Sequence, residues 1–195
     1  IDVSMQDICE SALREKLHEL EASMGVVVLM EAKTGDVKAI VNLMRYYDGE
    51  YYEARNYALA ALMEPGSTFK TSQGLTFMTE GIIDLKTQYP CSHGFNFHGL
   101  HVGCHGHAAP LSLVPALSTS CNGFFCWGLY YMIGNKEKYG TVQNAMNTWR
   151  DYMVSMGFGY PLGVDLPGEK RGLIPNAQFY DKAHTDKEGH VGKWN

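Results

Sequence analysis

Strand-forming sequence is confined to one short stretch of this chain, and that limits what it can build. Val26 to Met30 is an unbroken, Val-rich apolar run, the pattern of a buried strand. Lys33-Thr34-Gly35-Asp36 reads as a turn and Val37 to Leu43 as a second strand, so the two form a β-hairpin. A lone two-stranded hairpin is marginal in water. Either the chain is helical around that hairpin, or it holds part of a sheet whose other strands lie beyond it. We expect the second. Ile1 opens the chain without a Met or a signal-peptide pattern, and Gly192-Lys193-Trp194-Asn195 ends it without a closing element. We expect an excised piece of a longer protein, with residues 1–195 forming one domain.

The remaining segments read as helices and loops. Ser4 with Asp7 three residues on fits a helix start, and Ile8, Ala12, Leu13, Leu17 and Leu20 mark one face, with Gly25 as the stop. Asp48 to Tyr57 reads as an aromatic, polar loop. Ser67 to Glu80 is a helix ended by Gly81. Tyr89 to Pro110 is a loop rich in His, Cys and Gly. Leu111 to Ile133 is helical with a break near Ser120. Thr141 to Met156 is an amphipathic helix, and Gly157 to Pro175 is a Gly/Pro-rich loop.

Charge excludes some functions. With 16 basic and 21 acidic residues in 195, the net charge is −5, and no basic face for nucleic acid is evident. The longest charge-free stretch, Thr87 to Asn135, is broken by Pro, Gly, Asn and His. Its most apolar piece, Phe124 to Ile133, is about half the roughly 20 residues of a membrane span.

The sharpest motif is Ser67-Thr68-Phe69-Lys70. Residues three apart on a helix share a face. A Lys70 kept neutral by burial would take the proton of a nucleophilic Ser67. Four letters alone are common, and Ser67 could equally be a helix cap. The wider string is Glu64-Pro65-Gly66-Ser67-Thr68-Phe69-Lys70, then Ser120-Cys121-Asn122, then Gly157-Phe158-Gly159 and Gly163-Val164-Asp165-Leu166-Pro167-Gly168-Glu169, with Gly172 and Pro175 beyond.

In that order, and with the hairpin string Met30 to Val37, the chain resembles the transpeptidase domain of class B penicillin-binding proteins, nearest the elongation, rod-shape type. The resemblance implies an α+β fold of the serine β-lactamase/transpeptidase type, an antiparallel sheet flanked by helices, here incomplete. It implies Ser67 as the acylated nucleophile, with its N–H in the oxyanion hole, and Lys70 as general base. It implies Ser120 as proton relay and Asn122 as holder of the substrate amide, with no cofactor for catalysis. The implied partners are peptidoglycan stem peptides and β-lactams, plus a glycosyltransferase and membrane partners in the parent protein. The implied location is the periplasmic face of the bacterial inner membrane. A β-lactam sensor domain and a class D type β-lactamase are the alternatives. The family's third motif, Lys-Ser/Thr-Gly, has one match, Lys33-Thr34-Gly35, which precedes Ser67 and sits in a hairpin turn. We expect the true motif beyond residue 195 and little or no acylation by this piece alone.

Cys and His cluster between positions 91 and 126. Cys91, Cys104, His107 and Cys121 give C-x12-C-x2-H-x13-C, a donor set suited to tetrahedral structural zinc. His105 rivals His107, and His93, His98 and His101 are further candidates. A Cys91–Cys104 disulfide and an ordinary buried thiol at Cys121 are the competing readings. The side chain of Cys121, at the centre of Ser120-Cys121-Asn122, should face away from the catalytic side. Cys9 and Cys126 read as core residues, and His184 and His190 as solvated. Tyr46, Tyr47, Tyr51 and Tyr52 read as loop aromatics that either stack on glycan or pack on the domain. The open edge of the hairpin predicts self-association.

Overall fold

The computed structural model describes residues 1–192; Lys193, Trp194 and Asn195 lie outside the described residues. Contacts divide the chain into two compact units, Ile1–Met63 with Pro161–Arg171, and Glu64–Tyr160 with the segment from Gly172 onward.

The first unit is a helix on a three-stranded sheet. Helix α1 (Val3–Leu20) precedes strands β1 (Met24–Met30), β2 (Val37–Arg45) and β3 (Tyr51–Glu53), which pair antiparallel in the order β1-β2-β3. Short helix α2 (Tyr57–Ala60) follows. The helix cap is Asp2, not Ser4, because the Asp2 carboxylate reaches the Met5 N–H at 3.0 Å. The helix ends at Leu20, with Glu21 in the left-handed region at φ 48. Gly25 is not its stop. It lies in β1, where a Cβ would come within 2.7 Å of Leu13 Cδ1, so glycine there lets α1 pack directly on the strand. Lys33-Thr34-Gly35 occupies the exposed β1–β2 turn, with Gly35 at φ 80.

The third strand corrects the expected loop at 48–57. Tyr51 is buried with Leu17, Val41 and Leu43, and its hydroxyl lies 2.8 Å and 2.7 Å from the carbonyl oxygens of Leu17 and Ala22. That burial pulls the segment onto β2. By contrast, Tyr46, Tyr47 and Tyr52 are exposed.

The second unit is built from α3 (Phe69–Thr79), α4 (Leu113–Ser118), α5 (Asn122–Ile133), α6 (Lys136–Tyr139), α7 (Val142–Ser155) and α8 (Ala177–Ala183). Its core joins Phe77 of α3 to Phe124, Phe125 and Met132 of α5 and to Trp149 and Met153 of α7. Gly128 lets α5 pack closely on α3: a Cβ there would fall 2.6 Å from Phe77 Cε2. The expected 89–110 loop contains a second hairpin, β4 (Gly94–Phe97) and β5 (Leu100–Gly103). Its two-residue turn, His98-Gly99, has both φ angles positive, as a tight hairpin turn needs.

Candidate active site

Ser67 sits in a single 3-10 turn, Gly66–Thr68, that runs straight into α3. Lys70 follows one turn later on the same side, as the three-residue spacing requires. The chain returns through the break between α4 and α5. There Ser120 adopts φ 53, a left-handed conformation that is costly for a residue with a side chain. This bend aims Ser120 and Asn122 at Lys70 and sends Cys121, between them, into the interior.

Four groups therefore meet at one ammonium. Lys70 Nζ lies 3.2 Å from Ser67 Oγ, 2.9 Å from Ser120 Oγ, 2.7 Å from the Ser120 carbonyl and 2.5 Å from Asn122 Oδ1. Ser120 Oγ donates to Ser67 Oγ at 2.8 Å. Lys70 is buried, whereas Ser67 is exposed and open to a substrate. Burial pushes the Lys70 ammonium below the ordinary lysine value, only partly opposed by nearby Cys thiols. Its partners here are neutral oxygens, so no carboxylate holds the charged form, and the lowered pKa favours the free amine that can take the Ser67 proton.

Behind this wall lies the second cluster. The donor atoms of Cys91, Cys104, His107 and Cys121 all fall within 4.8 Å of one another. Cys104 Sγ is 3.3 Å from His107 Nε2, close to the roughly 3.5 Å that separates ligands around tetrahedral zinc. His107 Nδ1 is 2.8 Å from the Ala108 carbonyl, which fixes the ring and leaves Nε2 toward the thiols. Burial opposes ionisation of Cys104, but hydrogen bonds from His107, from the Asn122 and Gly123 N–H groups and from Cys91 prevail and bring the thiol down to about 6. Burial pushes Cys121 up to about 12, a shift that a bound dication would reverse. The donor set thus fits a closed four-ligand zinc site.

The cluster is folded locally by the β4–β5 hairpin. Gly94, at φ 142, has no room for a side chain, since a Cβ would lie 2.1 Å from the Val102 carbonyl oxygen. Cys104 N–H donates to the His93 carbonyl at 2.9 Å, which closes the loop between the two cysteines. Gly123 is also close-packed, with a would-be Cβ 2.8 Å from Cys91 Sγ.

Residues 25–187 match the penicillin binding protein transpeptidase domain. The chain belongs to that family. Among its curated relatives, the peptidoglycan D,D-transpeptidase MrdA of Acinetobacter baumannii is 26% identical over 194 residues, covering 87% of this chain and 26% of MrdA. The peptidoglycan D,D-transpeptidase FtsI of Buchnera aphidicola is 24% identical over 186 residues, covering 90% of this chain and 29% of FtsI. Penicillin-binding protein 2B of Streptococcus pneumoniae strain R6 superimposes with a TM-score of 0.73 at 21% identity, over 89% of this chain and 31% of that one. The chain thus spans about a quarter of the curated relatives it matches first. Its mixed helix and sheet architecture is that of the penicillin-binding transpeptidases, in part.

Within this transpeptidase-family chain, sequence reasoning missed two contacts that hold the wall. The Gly103 carbonyl accepts from Asn122 Nδ2 at 2.8 Å, and Cys104 Sγ accepts from the Asn122 N–H at 3.2 Å. The first is a backbone group and leaves no trace in residue types. The hairpin that delivers it had one readable signal, His98-Gly99 between the alternating pairs Phe95/Phe97 and Leu100/Val102.

Proposed function

We propose that this chain, as the nucleophile-bearing part of a single transpeptidase domain, serves a peptidoglycan D,D-transpeptidase. The reading is carried by one observation: the exposed Ser67 Oγ lies 3.2 Å from the buried Lys70 Nζ and 2.8 Å from Ser120 Oγ. In the proposed reaction Ser67 Oγ attacks the carbonyl carbon of the penultimate D-Ala of a stem peptide. Its proton passes to Lys70. The C–N bond to the terminal D-Ala breaks as Ser120 relays a proton to the leaving amine. The amine of a second stem peptide then takes the acyl group from Ser67. Asn122 holds the substrate amide, and β-lactams acylate Ser67 as mimics of the terminal dipeptide. The names of the relatives favour this reading over a β-lactam sensor or a class D type β-lactamase. Relatives named MrdA and FtsI both match, and within the family we keep the elongation, rod-shape type as the finer reading. With it go a glycosyltransferase and membrane partners, and work on the periplasmic face of the inner membrane. Among the described residues no helix is long and apolar enough to cross a membrane.

We further read Cys91, Cys104, His107 and Cys121 as ligands of a structural zinc ion that braces Asn122 from behind. The ion takes no part in the reaction. Elemental analysis of the purified full-length protein should give about one zinc per chain. A mass deficit of two hydrogens, from a Cys91–Cys104 disulfide, would overturn the zinc reading. The catalytic reading is tested separately, by release of D-Ala from a stem peptide ending in D-Ala-D-Ala. Release that is lost in Ser67→Ala supports it; equal release by the variant sinks it.

A further inference from the structure

We propose that the second unit carries a separate binding site for an uncharged pyranose ring, a sugar unit of a glycan strand. A cavity of about 530 Å³ lies at the C-terminal end of α5, lined by Tyr89, Tyr130, Tyr131, Asn135, Ile82 and glycines 81 and 134. Asn122 opens the same helix, so at about 1.5 Å per residue Tyr130 stands roughly 12 Å along it from the candidate active site. The two sites are distinct.

Three features select the ligand. Tyr130 and Tyr131 are 38% and 49% exposed, so they offer ring surface to a partner. Tyr131 is held rigidly, stacked on Tyr89 at 5.3 Å and on Trp127 at 5.9 Å between centroids, so little ordering is needed on binding. No ionised side chain lines the cavity. Glu80, which precedes the lining residue Gly81, is already engaged by Lys138, Tyr139 and Tyr152. A charged ligand would therefore find no counter-charge.

The polar groups exclude a purely apolar ligand. Tyr89 is only 9% exposed, yet its hydroxyl makes no hydrogen bond to any described residue. Burial raises its pKa, so the phenol stays protonated and remains a donor at neutral pH. The hydroxyls of Tyr130 and Tyr131 are likewise uncommitted among the described residues. Asn135 spends Oδ1 on capping α6 through the Lys138 N–H at 3.0 Å, which leaves its Nδ2 as a donor. An apolar ligand would bury these groups unpaired. A ring with C–H faces and a rim of hydroxyl and amide groups answers both the aromatic surface and the donors. The choice of an N-acetylated sugar rests on the proposed function, whose substrate is a glycan-linked peptide. The cavity's chemistry does not depend on that reading.

The test is calorimetric titration of the full-length protein with a β-1,4-linked N-acetylglucosamine tetramer. Tyr131→Ala and Tyr130→Ala probe the ring surface, and Tyr89→Phe removes only a hydroxyl. Both Ala sites are partly exposed, and thermal melts beside the titration establish that each variant is folded. Saturable binding should weaken about tenfold in Tyr131→Ala and severalfold in Tyr89→Phe, with penicillin acylation of Ser67 unchanged. No saturable binding, or binding indifferent to these three substitutions, overturns the proposal. Loss of the penicillin adduct from the unsubstituted protein would instead overturn the catalytic reading and leave the sugar site standing.

Discussion

Asn122 joins the Lys70 pocket to the cysteine cluster through Cys104. Its N–H donates to Cys104 Sγ at 3.2 Å, while its Oδ1 accepts from Lys70 Nζ at 2.5 Å. One residue thus reports on both sites, and disturbance of the cluster is felt at the ammonium.

That link predicts that Cys104→Ser slows penicillin acylation about tenfold or more without touching Ser67 or Lys70. Treatment with a chelator should slow it likewise, with recovery on adding zinc. Stopped-flow acylation kinetics check this, and an unchanged rate in both cases would uncouple the cluster from Asn122.

Lys70 sets the pH response. Burial lowers its pKa, and the neutral amine is the base. Acylation should therefore fall as pH drops through a midpoint below the ordinary lysine value. The unfolded chain binds that proton more tightly than the folded one, so this group's contribution to stability rises as pH rises between the folded and unfolded pKa values. Lys70→Arg stays charged throughout and should lose about 100-fold or more in acylation rate. A rate that is flat with pH contradicts the assignment.

Glu80 should govern acid stability of the second unit. Burial opposes its ionisation, but Lys138, Tyr139 and Tyr152 prevail and hold the carboxyl down at about 2. A depressed carboxylate stabilises the fold above its unfolded pKa, and that stability is lost as pH falls from about 4.5 toward 2. Glu80→Gln should lose about 1–3 kcal/mol near neutrality and show a flatter acid limb in thermal melts.

Gly128 of α5 packs directly against Phe77 of α3. An alanine gains helix propensity but drives its Cβ to 2.6 Å from the fully buried Phe77 ring, which has no free space to retreat into. Gly128→Ala should be destabilising by about 1–2 kcal/mol net, read from denaturant midpoints.

Much of the candidate site is legible in residue types because it rests on helical spacing. Ser67 and Lys70 are three apart on one turn, and Ser120-Cys121-Asn122 sits at a helix break, so alternate residues face opposite sides. The donor set Cys91, Cys104, His107 and Cys121 is legible for a similar reason, since metal-binding residue types are rare enough to stand out. What stays hidden is tertiary. Tyr51 reads only as a loop aromatic, yet its hydroxyl reaches the carbonyls of Leu17, in the last turn of α1, and of Ala22, and makes a strand of its neighbours. Gly25 reads as a helix stop, yet its missing side chain serves the packing of Leu13. The β4–β5 hairpin lies within a run of Gly, His and Asn that carries little strand propensity, and it forms because Phe95 is buried in the second unit.

The central claim is that Ser67 is a nucleophile served by Lys70. Its most direct measurement is the intact mass of the folded full-length protein after incubation with a penicillin, beside Ser67→Ala. The account predicts one covalent adduct on the unsubstituted protein and none on the variant. An adduct that persists in Ser67→Ala, or none on the folded unsubstituted protein, would contradict it.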